Sequence, residues 1–179
     1  MLDDLRGVLA DHLQPIAPSP RAWGWKEPRS IYLLPFLHRH LPALRFLHVV
    51  RDGRDMALSA NQNQLRKHGE AIGLTGAGID PAVQSITLWS WINGITAAYG
   101  RDRMGDAYLR VRFEDLCRDP VAVTATVLAF FGLEADPEVV SDEVATPSSL
   151  GRWREAEPSL LAAMTEAAGG TLAELGYGA

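Results

Sequence analysis

Apolar positions along this chain recur with two different periods, and the two alternate. Leu2, Leu5, Val8, Leu9 and Leu13 keep helical spacing and predict an amphipathic first helix. Pro15, Pro18 and Pro20 end it and form a stiff linker. Residues 22–26 are short and aromatic and read as a strand. Ser30 can cap a helix running to His40, with a kink at Pro35. Residues 45–51 (RFLHVVR) form the clearest buried strand. The pattern then predicts helix over 52–67, loop over 68–81, a long helix over 82–103, strand over 107–113 and helix over 121–131. Residues 146–149 read as loop, and 158–175 as helix with a break at Gly169-Gly170. Strands alternating with helices predict an α/β fold with a largely parallel sheet. The expected organisation is one domain over 1–179: an N-terminal helix and proline-rich linker over 1–21, then a core over 22–179.

Composition narrows the class. With 179 residues, 47% hydrophobic and 22% charged, the chain suits a soluble globular domain with a real core. The single Cys117 cannot pair within the chain, and no apolar run reaches membrane-spanning length. A cytoplasmic protein without membrane contact is expected. Charge is uneven. Between Arg21 and Arg54 there are seven bases and two acids, while the remainder holds 10 bases and 20 acids. A nucleic-acid partner would ask for basic charge over a whole face, so none is expected. One basic quarter in an acidic protein suits a small polyanion instead.

In open α/β sheets ligands bind beyond the carboxyl ends of the strands. Those ends read Lys26-Glu27-Pro28-Arg29, Arg51-Asp52-Gly53-Arg54-Asp55 and Arg112-Phe113-Glu114-Asp115. Gly53 would let backbone approach a ligand, and the helix N-terminus after it would add free amides. Arg51 at the strand end, with Ser59 two turns along that helix, would make a cradle for a phosphate monoester. The residues alone leave an alternative open, in which Arg51 pairs with Asp55 and Ser59 merely packs.

Arg51-Asp52-Gly53-Arg54-Asp55, with Ser59 eight residues after Arg51 and a buried strand before it, resembles the 3′-phosphate-binding motif of sulfotransferases. These enzymes use 3′-phosphoadenosine 5′-phosphosulfate (PAPS). Trp25-Lys26-Glu27-Pro28 resembles the family's upstream lysine segment. Val111-Arg112-Phe113-Glu114-Asp115-Leu116 with Asp119-Pro120 resembles its Tyr-Glu-Asp-Leu…Asp-Pro signature, and Leu150-Gly151-Arg152-Trp153-Arg154 its late loop over the nucleotide.

The resemblance implies a three-layer fold of the P-loop-NTPase type with a mostly parallel sheet, PAPS as sulfuryl donor, no metal, and a small-molecule or peptide acceptor. It implies that Arg51 and Ser59 hold the 3′-phosphate and that Phe113 packs on adenine. Gly151, Arg152 and Arg154 would close on the nucleotide, and Lys26 would stabilise the bridging oxygen as it gains charge. Pro28 stands where many relatives carry a catalytic histidine, so the general base is not assigned; Glu27 is a weak candidate. Relatives open their donor site with a strand and a Ser/Thr-rich loop. Before Lys26 this chain offers one helix and the proline-rich linker. The expectation is therefore a fold incomplete at the N-terminus, without appreciable activity alone, and self-associating through an exposed sheet edge. The alternative is a non-catalytic fragment that keeps a 3′-phosphoadenosine half-site, or an interaction module.

Other features read as structural. His38 and His40 stand two apart and share no helix face, which argues against a metal pair. His48 reads as a satisfied buried histidine, and Trp89, Trp91, Ile92 and Ile95 as core. No Gly-x-Ser-x-Gly elbow surrounds Ser59, so it is no hydrolase nucleophile.

Overall fold

The computed structural model describes residues 23–74 and 78–178; the helix and linker expected before residue 22 lie outside the described residues. The chain divides into a short unit, Met1–Ser30, and a larger one, Ile31–Ala179.

In the short unit the strand expected over 22–26 does not form: Trp23 to Glu27 have no regular structure. Local bonds turn the backbone instead. Trp23 stacks on Trp25 at 5.5 Å, Trp25 Nε1 donates to Ser30 Oγ (2.9 Å), and Ser30 N donates to the Glu27 carbonyl (2.9 Å). A 3-10 turn, Pro28–Leu33, follows. The Ser30 hydroxyl is therefore spent on an indole rather than on a helix cap.

The larger unit is mixed α/β. Helix α1 is Leu34–His40, with Pro35 in its first turn, where proline costs nothing and makes no kink. Strand β1, Phe46–Val50, pairs in parallel with β2, Tyr108–Arg112, from Phe46 opposite Tyr108 to Val50 opposite Arg112. Both strands match their sequence expectation to within one residue at each end. Among the described residues the sheet has these two strands, and Val49 on β1 is 48% exposed.

The helix expected over 52–67 is two short ones, α2 (Gly53–Ala57) and α3 (Asn63–His68). Polar side chains between them capture the backbone. Ser59 Oγ accepts from Asn61 N (3.2 Å), Asn61 Oδ1 from Asn63 N (3.2 Å), and the Gln62 amide donates to the Ala57 and Ser59 carbonyls. The long helix α4, Pro81–Tyr99, is capped by Asp80, whose carboxylate accepts from Ala82 N (2.8 Å). It passes into a π turn, Gly100–Met104. Helices α5 (Phe113–Arg118), α6 (Pro120–Phe131), α7 (Pro137–Ser141), α8 (Pro158–Ala168) and α9 (Thr171–Glu174) follow.

The core gathers Val50 of β1, Ala57 of α2, Ile86 and Trp89 of α4, Met164 of α8, and Leu172, Leu175 and Tyr177 at the end of the chain. Trp89 and Ile92 are buried as expected. Trp91 and Ile95, on the opposite face of α4, stand at the surface instead, 43% and 49% exposed.

Gly53 owes its identity to this core. A Cβ there would lie 2.5 Å from the Trp89 ring, so the indole fills the space that sequence reading reserved for a ligand. Gly53→Ala is expected to cost about 1–3 kcal/mol by forcing the two apart. Urea unfolding of the variant checks this, and a cost near zero would contradict the packing.

Candidate functional site

The carboxyl ends of β1 and β2 meet a dense polar network. Asp52, two residues beyond β1, accepts from the backbone of Arg54 (2.9 Å) and from its guanidinium (3.0 and 2.7 Å). Both residues are buried. Asp52 N donates in turn to Glu114 Oε1 (2.9 Å). Two of the amides that the sequence offered to a ligand around this helix start, those of Asp52 and Arg54, are thus consumed by carboxylates of the protein.

Tyr177 completes this side. Its hydroxyl lies 2.7 Å from the Val50 carbonyl oxygen and 2.8 Å from Glu114 Oε2, and Arg112 stacks on its ring at 4.5 Å. Burial, with the Glu114 carboxylate beside it, pushes the Tyr177 phenol well above its ordinary pKa, so it remains a hydroxyl. A cleft of about 590 Å³ opens here, lined by Arg54, Arg112, Glu114, Trp153, Arg154 and Tyr177 among others.

Arg51 takes another direction. Its Nη2 donates to Asp55 Oδ2 (3.1 Å), to the Ser149 carbonyl (2.6 Å) and to Ser149 Oγ (3.1 Å). The guanidinium sits 5.5 Å from the Phe113 ring. Among the described residues Nε has no acceptor although it is buried, and no bond leaves from Nη1. A planar cation with uncommitted donors beside an aromatic ring is chemically suited to a phosphate ester carried on a flat base.

The sequence candidates divide accordingly. Arg51 and Phe113 are brought together, and the pairing of Arg51 with Asp55 is formed as well. Arg152 joins them through Ser149, whose carbonyl its Nε reaches at 3.3 Å, while its Nη1 reaches the Leu58 carbonyl at 3.4 Å. Ser59 is not on the helix: α2 stops at Ala57, and the Ser59 hydroxyl accepts from Asn61 N. No hydrogen bond links Ser59 to Arg51 among the described residues. Gly151 is left-handed at φ +79°, and its amide is bound by Asp55 Oδ2 at 2.6 Å. Arg154 packs on Trp153 at 4.6 Å and lines the Tyr177 cleft, which Arg51 does not.

Lys26 belongs to the short unit, where it is exposed and has no ion pair among the described residues. Its neighbour Glu27 is held by Arg29, through the side chain (3.0 and 3.2 Å) and the backbone (3.1 Å). These bonds bring the Glu27 carboxyl down to about 2. A carboxylate so stabilised is a poor proton acceptor, which weakens its case as general base.

Sequence reasoning assigned no role to Ser149, and it treated Asp55 only as a partner for Arg51. The signal for Asp55 was its place four residues after Arg51, one helical turn; Ser149 offered none.

Comparison with known proteins adds an independent line. The mouse (Mus musculus) protein named carbohydrate sulfotransferase 5 is 32% identical over 116 residues, covering 60% of this chain. That stretch is 29% of the mouse protein, so the match spans less than a third of the relative's length. No solved structure matches. Residues 1–137 match the model described as the sulfotransferase family. That span holds the lysine segment, the Arg51 motif and the Phe113-Glu114-Asp115 signature in order. The chain belongs to the sulfotransferase family.

Proposed function

We propose that this chain binds PAPS by its 3′-phosphoadenosine end and serves transfer of the sulfuryl group to a hydroxyl or amine, within the P-loop-like three-layer arrangement that its family suggests. One observation carries the reading: Arg51 at the end of β1 keeps Nε and Nη1 uncommitted beside the Phe113 ring. In the reaction the acceptor oxygen or nitrogen attacks sulfur and the bond from sulfur to the bridging phosphate oxygen breaks. 3′,5′-ADP leaves, and the acceptor's proton passes to a base. Arg51 would hold the 3′-phosphate, Phe113 would pack on adenine, and the Lys26 ammonium would meet the charge growing on the bridging oxygen. The name of the mouse relative supports a carbohydrate hydroxyl as the acceptor.

Calorimetric titration with 3′,5′-ADP and with 5′-ADP tests the reading. Each charged hydrogen bond to the 3′-phosphate should contribute about 1.5–3 kcal/mol, so 3′,5′-ADP is expected to bind about tenfold tighter or better. Arg51→Ala should remove the preference. Equal affinities for wild type would refute the assignment. In a transfer assay from labelled PAPS with a version of the chain that carries the Ser/Thr-rich donor loop, Lys26→Ala is expected to lower kcat by about 10²–10³ and leave 3′,5′-ADP binding unchanged, because the ammonium acts mainly on the transition state. An unchanged kcat would return Lys26 to the solvated surface.

A further inference from the structure

Asp55 is 1% exposed. Its Oδ2 accepts from Arg51 Nη2 (3.1 Å) and from Gly151 N (2.6 Å), and its Oδ1 accepts from Trp153 N (3.1 Å). Arg51 Nη2 also reaches Ser149. One carboxylate on α2 therefore ties the strand-end arginine to alternate residues of the 149–153 segment. We infer that Asp55 is the positioning residue for the donor 3′-phosphate, fixing Arg51 and the 149–153 loop as one rigid unit; this rests on the nucleotide reading above.

The chemistry requires a carboxylate. Three N–H donors from two chain segments converge on it, and an ionised carboxylate is acceptor-only with room for all three. An asparagine of the same shape has one acceptor oxygen and must turn its own NH₂ toward at least one of those donors. By occupying Nη2, Asp55 and Ser149 orient the guanidinium so that Nε and Nη1 are the donors left for a ligand. They also set the Gly151 turn, where φ is +79° and a Cβ would come 2.3 Å from Arg154 Nη1. Asp55 thus acts on the phosphate through Arg51 and the loop.

A bystander carboxylate would behave differently. Asp55 is negative and sits beside the cation that meets the phosphate, so if it only competed for Arg51, its neutralisation would tighten nucleotide binding. Positioning predicts the opposite sign.

The test is calorimetric titration of the full chain and of Asp55→Asn with 3′,5′-ADP and 5′-ADP. The expected result is that wild type prefers 3′,5′-ADP about tenfold or more, and that Asp55→Asn cuts this preference about fivefold while 5′-ADP binding holds. A preference kept or raised in Asp55→Asn overturns the inference and leaves the nucleotide reading standing. Absence of the preference in wild type overturns both. Hydrogen exchange on the wild-type chain decides the matter if Asp55→Asn does not fold. Saturation with 3′,5′-ADP, and not with 5′-ADP, should slow exchange of the Gly151 and Trp153 amides about tenfold. Exchange indifferent to the 3′-phosphate overturns the proposal.

Discussion

Asp52→Ala is expected to destabilise the fold by about 3–5 kcal/mol, the cost of leaving a buried cation unpaired. Arg54 and Asp52 are 5% and 4% exposed, and the guanidinium is stacked 3.7 Å over Trp153. Alanine at 52 would remove both carboxylate bonds to that guanidinium, together with the cap on Arg54 N. Only the Tyr177 carbonyl, at 3.2 Å, would remain as its acceptor. Because the penalty is that of an orphaned charge, the double change Asp52→Ala/Arg54→Leu should recover a large part of it. Urea unfolding of the two single variants and the double gives the coupling directly. A loss below about 1 kcal/mol for Asp52→Ala would mean that water reaches Arg54 in the folded protein.

Acid should weaken the protein through His48. This residue is 4% exposed. Its Nε2 lies 2.9 Å from Asn93 Oδ1 and its Nδ1 2.7 Å from the Tyr108 hydroxyl. The Asn93 amide nitrogen is committed to the Trp89 carbonyl (2.8 Å), so its oxygen faces the ring; His48 is neutral with its proton on Nε2. Burial, opposed by the Asn93 bond and aided by Arg110, holds its pKa down to about 4. Between the ordinary 6.5 and about 4 the unfolded chain binds a proton that the folded one refuses. Stability is therefore full above pH 6.5 and falls as pH drops toward 4, by up to about 3 kcal/mol. Denaturation midpoints measured across that range should slope in wild type and flatten in His48→Gln. Parallel slopes would show that carboxylates alone carry the acid response.

The two strands that form were the most readable part of this chain, whereas the strand expected over 22–26 does not form. Leu47, His48, Val49 and Val50, and likewise Leu109 and Val111, sit in runs whose β-branched and apolar content leaves little choice. The helices near the site were harder. Met56, Leu58 and Leu65 suggest one helix across 52–67, yet Ser59, Asn61 and Gln62 bind the backbone locally and interrupt it, an effect that hydrophobic spacing does not register.

Charge was read in the right place with the wrong balance. The basic quarter is real, but Glu27 is spent on Arg29 and Asp52 on Arg54 within two residues of each base, which leaves Arg51 as a partly free cation at the end of β1. Gly53 was legible as a close approach, though not its occupant: only the fold brings Trp89, 36 positions later, against it. Arg51 and Phe113 were each legible as candidates because strand ends are. Their convergence with Ser149 depends on a loop nearly a hundred residues downstream, and no local pattern announces that.

The Tyr177 hydroxyl has a consequence for how the protein is made. Its partner carbonyl on Val50 is 127 positions earlier, and Glu114 63 positions earlier. A nascent chain leaving the ribosome exposes both strands while the group that seals their carboxyl ends is still untranslated. At ordinary elongation rates that wait lasts on the order of several seconds, with Trp89, Val50 and the buried Asp52–Arg54 pair all short of their final cover. Closure of the two strand ends therefore waits until Tyr177 has been made, and until then the core beneath them lacks this cover.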